Sequence, residues 1–573
     1  MSPSDGGQDI ETDRRSIVKL SATLGALGIT GLAGCSGDGG GDGSDGGSDG
    51  GSNGGSDGGS DGDSDGGSGT DDGGMETDTG LPRGGTFNVG AQQGIETMSP
   101  FRGFLADYLL GEAMYDRLTR VNQDLEVEAN LATDWEVNSD YTVFTFMLDE
   151  SATFANTDGQ SVTADDVVAT YDYLTSDEFS GAASSLSGVE TVEKVDETTV
   201  EITLGSSDLS FPKRISETGG AFFVAPKSVL EDDPSQLEET DYGSGPLVLT
   251  EWDQKNSITF EAKSDYHIDG EDGDPLPYID GMVWNILSDE IQRVNALSDG
   301  TVDAVSRIAP NVTDRAGEDT TFVNRASGLQ FPIVLDTTVE PFDNGKVRKA
   351  IKHALDREQF VEAVSGDGVL GHHAGITPVH SEYNDDLPVD DTFGTTAQTD
   401  EAEQLLSEAG YDGGFEVQTF HYDDGYPQKE TIAQLFQQQM AEVGIEFEIN
   451  RLTEETWLSD YWNQEGNWYI TNYSTRVLGS TVPRLALRSD GPWNEANWSN
   501  ADYDAAYGAA TTATDEETAT ENFDKMQEIN HREGAWVGTY HPSIYGGHKE
   551  YVHNYQLYPT EVKDFISRCA VDK

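Results

Sequence analysis

From Ser36 to Gly74 the chain is almost entirely glycine, aspartate and serine, and this tract limits what the rest can become. It holds no apolar side chain to bury, so nothing offsets the entropy lost on ordering it. Its carboxylates repel one another, and a flexible, extended linker is expected over residues 36–83. The tract separates a short leader from a long globular remainder. Gly-Asp repeats also occur in calcium-binding solenoids, but the aliphatic residue such repeats place at a fixed step is missing, so calcium is not expected here.

In the leader, residues 1–35, Arg14 and Arg15 precede a mildly apolar run from Ser21 to Ala33, and the leader closes with Leu32-Ala33-Gly34-Cys35. A membrane-spanning helix needs ~20 apolar residues, more than this run supplies. The combination resembles a twin-arginine export signal ending in a lipobox. That resemblance implies cleavage before Cys35 and lipid on its sulfur. The expected location is extracytoplasmic, anchored to the outer face of the cytoplasmic membrane. Cys569 is the only other cysteine, so no disulfide framework is available.

Acidic residues number 106 against 33 basic ones, a formal charge of -73 spread along the whole length. Such a surface repels nucleic acid, which is excluded as a partner. Molar salt would screen its self-repulsion, so a salt-loving source and weaker folding at low salt are expected.

From Gly84 onward the composition is globular, and apolar periodicity switches between two and about 3.6 residues. Phe144, Phe146 and Leu148 alternate as on a strand, as do Val200, Ile202 and Leu204, and Ile258, Phe260 and Ala262. Thr163 with Asp166 reads as a capping box, opening a helix that carries Val167, Val168, Tyr171 and Leu174 on one face. Val347, Ala350, Ile351, Ala354 and Leu355 form a second helical stripe, and Ala402, Leu405, Leu406 and Ala409 a third that stops at Gly410. Phe415–Phe420 is expected as strand, Ile432–Val443 as helix, and Ile445, Phe447 and Ile449 as a second strand. The fold class is therefore α/β, with a site expected where lobes meet.

Gly84-Gly85-Thr86-Phe87-Asn88-Val89, Met98-Ser99-Pro100-Phe101, Tyr115-Asp116-Arg117-Leu118, Leu131-Ala132-Thr133-Asp134-Trp135, Gly243-Ser244-Gly245-Pro246, Pro277-Tyr278-Ile279-Asp280 and Leu355-Asp356-Arg357 occur in a characteristic order. Their order and spacing resemble the peptide-type, family 5 solute-binding proteins of ABC importers. The resemblance runs from Gly84 to the C-terminus. It implies a two-lobed periplasmic-binding-protein-like fold with a hinge and an inserted third domain. Lobe I is then expected from residues 84–125, 243–329 and 545–573, the insert from 126–242, and lobe II from 330–544. Trp135 and Trp252 read as packing aromatics, and Gly243 and Gly245 as residues that permit a tight crossover.

The same resemblance implies a peptide or small-molecule ligand, trapped by lobe closure, with ABC permease and ATPase subunits as partners. A monomer without cofactor is expected. Alternatives are an oligosaccharide or organic anion as ligand, or a sensory receptor in place of a permease. Trp457, Trp462, Trp468, Trp493 and Trp498, with Tyr461, Tyr469 and Tyr473 among them, form an aromatic cluster suited to binding or to a core. Trp468, Tyr473, Arg476, Trp493 and Trp498 are the candidate ligand-binding residues. Where peptide binders of the family carry an aspartate for the ligand's α-amine, this chain has Arg476 after Asn472-Tyr473-Ser474-Thr475. Arginine suits a carboxylate, sulfonate or phosphate and repels an ammonium.

His372, His373 and His380 carry no carboxylate or cysteine spacing of a metal cage, so no metal site is assigned. Gly-x-Ser-x-Gly and His-Glu-x-x-His are absent, and Gly345-Lys346 is followed by Val347 where a phosphate loop needs a hydroxyl residue. An enzyme is not expected, and ATP hydrolysis belongs to another subunit.

Overall fold

Apolar alternation becomes strand wherever one face can be covered, and the computed structural model shows this over residues 80–102, 112–176, 186–216, 222–364, 368–371, 375–387, 394–560 and 566–573. Arg14, Arg15, Cys35, the Gly/Asp/Ser tract, His372 and His373 lie outside the described residues. Phe144, Phe146 and Leu148 are buried along β5 (Val143–Leu148), and Val200, Ile202 and Leu204 along β7 (Thr199–Leu204). The two strands pair antiparallel, Phe144 opposite Ile202 and Phe146 opposite Val200. With β4 (Ala132–Val137) and β6 (Val189–Lys194) they make a sheet ordered β4-β5-β7-β6. The Ala164–Leu174 helix covers its apolar face. That helix begins as its capping box predicts, the Thr163 amide donating to Asp166 Oδ2 at 2.9 Å.

The largest sheet collects strands from distant parts of the chain. Its order is β12 (Thr320–Ala326), β21 (Tyr540–Lys549), β11 (Ala304–Ser306), β1 (Thr86–Ala91), β10 (Gly281–Ile286), β9 (Ser257–Ala262) and β8 (Leu247–Asp253). β14 (Gly368–Leu370) pairs with the start of β21. β1 runs parallel to both of its neighbours, β10 and β11. The hairpin β2 (Thr119–Val121) and β3 (Val127–Ala129) stands between this sheet and the four-stranded one in sequence.

A third sheet has the order β18 (Ile449–Leu452), β16 (Phe420–Asp423), β19 (Trp468–Ile470), β13 (Ile333–Leu335) and β20 (Trp536–Val537). The helices Gly345–His353, Thr399–Glu408 and Gln428–Glu442 share a core with Trp468 and Ile470, while the helices Ala501–Thr511 and Glu516–Glu533 share one with Tyr469 and Trp536. Two of the expected strands are interrupted. Phe415–Phe420 is strand only at β15 (Phe415–Glu416) before β16 starts, and Ile445–Ile449 divides into β17 (Ile445–Glu446) and β18. The break falls where Phe447 turns into a ring cluster, 5.6 Å from Phe420 and 4.6 Å from Trp468. The strand-helix-strand unit itself is present, with β15 parallel to β17 and β16 to β18. Its helix starts at Gln428, ahead of the expected Ile432, because the first turn buries Lys429 rather than an apolar residue.

Gly243 and Gly245 are dictated by close approach. A Cβ on Gly243 would stand 1.7 Å from the Met114 carbonyl oxygen, and one on Gly245 2.6 Å from the Met114 carbonyl carbon. The largest sheet and the third are joined twice: β12 passes to β13 through residues 327–332, and β20 leads directly into β21. These two connections run side by side, with Ser327 Oγ donating to the Pro542 carbonyl at 2.7 Å. Within β21 the partner changes: Tyr540–Pro542 pair with β14, and Ser543 onward with β12. No helix among the described residues is long and apolar enough to cross a membrane.

Candidate functional site

β19 runs parallel to β16, which runs parallel to β18, so the chain leaving β19 at Thr471 emerges at the carboxyl end of a parallel set. In open α/β sheets that edge is where ligands bind. The residues that follow, Tyr473 to Gly479, are all buried. They are pinned from the neighbouring connection. Gln330 and Tyr473 exchange both backbone hydrogen bonds at 3.1 Å, the Gly328 amide donates to Thr475 Oγ1 at 2.7 Å, and His380 Nε2 donates to the Arg476 carbonyl at 2.8 Å. His380 Nδ1 accepts from the Thr377 amide at 3.1 Å, which fixes the tautomer and makes His380 a staple of this wall.

Tyr473 stands between Trp536, at 5.0 Å, and Trp493, at 6.2 Å, and its hydroxyl donates to Glu495 Oε1 at 2.5 Å. Burial pushes the Tyr473 hydroxyl well above its ordinary range, and the Glu495 charge beside it adds to the shift. Trp493 is half-buried and continues the row to Trp462 at 5.9 Å. Arg476 is 9% exposed. Its Nε is buried without a hydrogen-bond partner, and no carboxylate among the described residues forms an ion pair with it.

Two expected site residues are elsewhere. Trp468 is fully buried on the helix-covered face, packed against Phe342 at 4.9 Å and Phe447 at 4.6 Å, its indole donating to the Gln418 carbonyl at 2.9 Å. Strand alternation explains this: Trp468 and Ile470 point one way and Tyr469 the other. Trp498 is buried with its ring on Tyr503 at 5.3 Å, packing the Ala501–Thr511 helix. Tyr473, Arg476 and Trp493 do share one wall.

Glu495 was not anticipated. It is 1% exposed and receives the Tyr473 and Thr471 hydroxyls, with Tyr469 and Trp462 also donating to it. Burial pushes its carboxyl up to about 7, those donors holding it back from a larger rise. Its flanks in sequence, Trp493 and Trp498, are the one local hint that an acid sits inside an aromatic shell. Glu495 Oε2, Arg476 Nε and the indole nitrogens of Trp457, Trp493 and Trp536 are all buried without partners, which gathers unmet polar demand along this wall.

The opposite side is supplied by the N-terminal half. Val121 and Leu125 pack on Val477, with Val379 at the margin, and Ser207 Oγ donates to the Ala513 carbonyl at 3.0 Å. A cavity of about 60 Å³, lined by Asp116, Arg117, Arg120, Asn130 and Tyr266, shares only Val121 with this region. No group of three metal-ligating side chains is assembled among the described residues.

A family described as bacterial extracellular solute-binding proteins, family 5 Middle, matches residues 126–495. Heme-binding protein A of Haemophilus influenzae is 27% identical over 75% of this chain and 82% of its own length. Di/tripeptide-binding protein 2 of Pseudomonas aeruginosa is 24% identical over 77% of this chain and 86% of its own. The solved structure of HbpA2 from Haemophilus parasuis superposes with a TM-score of 0.73 at 22% identity, covering 85% of this chain and all of that one. That likeness establishes the two-lobed α/β fold.

Proposed function

Because the chain belongs to the bacterial extracellular solute-binding proteins of family 5, which serve ABC transporters and are not enzymes, we propose that it captures a small carboxylate-bearing ligand by lobe closure. A dipeptide, an oligopeptide or a related small molecule fits this reading, and the protein delivers it to an ABC permease. The observation that carries it is Arg476: a guanidinium 9% exposed, on the wall at the strand ends, with its Nε unpartnered. Burying such a charge is costly unless an anion meets it. Heme and di- or tripeptides, which the relatives' names give as their ligands, both carry carboxylates. Tyr473 and Trp493 would supply flat apolar area beside that anion.

In this reading lobe I comprises residues 84–125, 243–329 and 545–573, the insert 126–242, and lobe II 330–544. The three sheets support that division, and the change of partner between Pro542 and Ser543 supports a hinge there. Closure is a population shift driven by a ligand that touches both lobes only when they meet. Lipid on Cys35 would hold the loaded protein near the permease, and Cys35→Ser should release it from the membrane.

The test is calorimetric titration of the protein in molar salt with di- and tripeptides, glutathione and hemin, and with C-terminally amidated versions of any peptide that binds. Arg476→Gln should weaken the carboxylate form by about 2–5 kcal/mol and leave the amidated form nearly unchanged. Equal affinity of wild type and variant for the carboxylate form would remove Arg476 from the site.

A further inference from the structure

The hairpin loop between β2 and β3 holds a leucine in a conformation leucine disfavours. Leu125 has φ of 59°, the left-handed region that glycine or asparagine takes readily. The loop is otherwise well formed: Asn122 Oδ1 accepts from the amides of Asp124, at 2.8 Å, and Glu126, at 3.0 Å, and the Leu125 amide donates to the Asn122 carbonyl at 3.1 Å. Asparagine or glycine at position 125 would satisfy the same turn without strain. A residue kept in a strained conformation is a pointer to what its side chain does.

The side chain of Leu125 is 2% exposed although it belongs to a hairpin tip. It is covered, with Val121, by Val477, the residue that follows Arg476. The next residue back, Asp124, is tied to Arg325 Nη2 at 2.5 Å, and Arg325 lies on β12 just before the connection to the third sheet. One turn of chain therefore grips the N-terminal half through Asp124 and seats a leucine on the ligand wall through Leu125. Val477 is 0% exposed, and Val121 and Leu125 from the other half of the molecule pack against it.

We propose that Leu125 is a positioning residue for the ligand wall: its side chain crosses between the halves, docks on Val477 and holds the Tyr473–Leu478 wall, and with it Arg476, in binding register. This rests on the reading above that this wall meets the ligand. Glycine or asparagine at this position would relax the turn and lose the contact. A leucine serving only the stability of the hairpin would give the opposite pattern on replacement by glycine, namely a lower melting point and an undisturbed wall.

The test needs no ligand. Hydrogen exchange followed by mass spectrometry on the full-length protein in molar salt reads the protection of segment 472–480 against that of the Gln428–Glu442 helix. In Leu125→Gly the 472–480 segment should exchange about tenfold faster or more, as loss of a buried leucine contact implies. The Gln428–Glu442 helix should keep its protection, and the melting temperature should be unchanged or higher. Leu125→Asn should behave like the glycine variant and serves if that one fails to fold, while Leu125→Met should keep wild-type protection. Unchanged exchange at 472–480, or acceleration spread equally into the Gln428–Glu442 helix, overturns the proposal. Because Arg476 is tested by affinity and Leu125 by exchange in the free protein, failure of one leaves the other legible.

Discussion

Replacing Glu495 by glutamine should make the protein less sensitive to pH, in a direction and size that follow from the site. The Glu495 carboxyl is buried and its proton is held up to about 7, against an ordinary value of 4.5. A tenfold change in proton affinity is worth about 1.4 kcal/mol, so the folded state prefers the protonated carboxyl by about 3 kcal/mol more than the unfolded chain does. The sign is set by the upward shift. Between these two values the folded protein binds more protons than the unfolded one, so stability falls as pH rises from about 4.5 to about 7 and stays lower above it. Glutamine resembles the protonated acid: it is neutral, and its oxygen still accepts from the Tyr473 hydroxyl. Urea unfolding in molar KCl at pH 5 and pH 8 would compare the two proteins. The variant should match wild type near pH 5 and exceed it by up to about 3 kcal/mol at pH 8. Parallel pH profiles would show that Glu495 does not carry a buried titration and refute the reasoning.

Two further outcomes are expected from packing. Gly243→Ala should lower the urea-unfolding free energy by more than about 2 kcal/mol, since the new methyl cannot fit unless the Met114 backbone moves. Lys429 is fully buried and bonded to buried Asp423, so Lys429→Ala should cost about 3–5 kcal/mol by leaving that carboxylate alone, read by thermal unfolding.

What the sequence discloses divides along physical lines. Capping at Thr163, the alternation of β5 and β7, and the glycines at 243 and 245 are local matters of hydrogen bonding, burial parity and steric room, and residue order shows them directly. The aromatic cluster was legible as a cluster, because large rings need neighbours. Which ring faces which side was not. Trp468 and Tyr469 are adjacent and fall in different cores, a consequence of where β19 sits between β16 and β13. Trp498 follows the helix after it, for the same reason of tertiary placement. The roles of Glu495 and Leu125 depend on contacts between distant segments, Glu495 with Tyr473 and Leu125 with Val477, and no spacing in the chain announces them.

The place of β21 in the largest sheet has a consequence for synthesis. Every other strand of that sheet is translated first, yet β21 lies second in the order, between β12 and β11. Until it leaves the ribosome, β12 has no neighbour to join and β11 offers an open edge beside β1. The growing chain can finish its four-stranded unit early, but the half that begins with β1 must wait for almost the last strand. The largest sheet therefore stays incomplete, with edges of β11 and β12 unpaired, until β21 has been made.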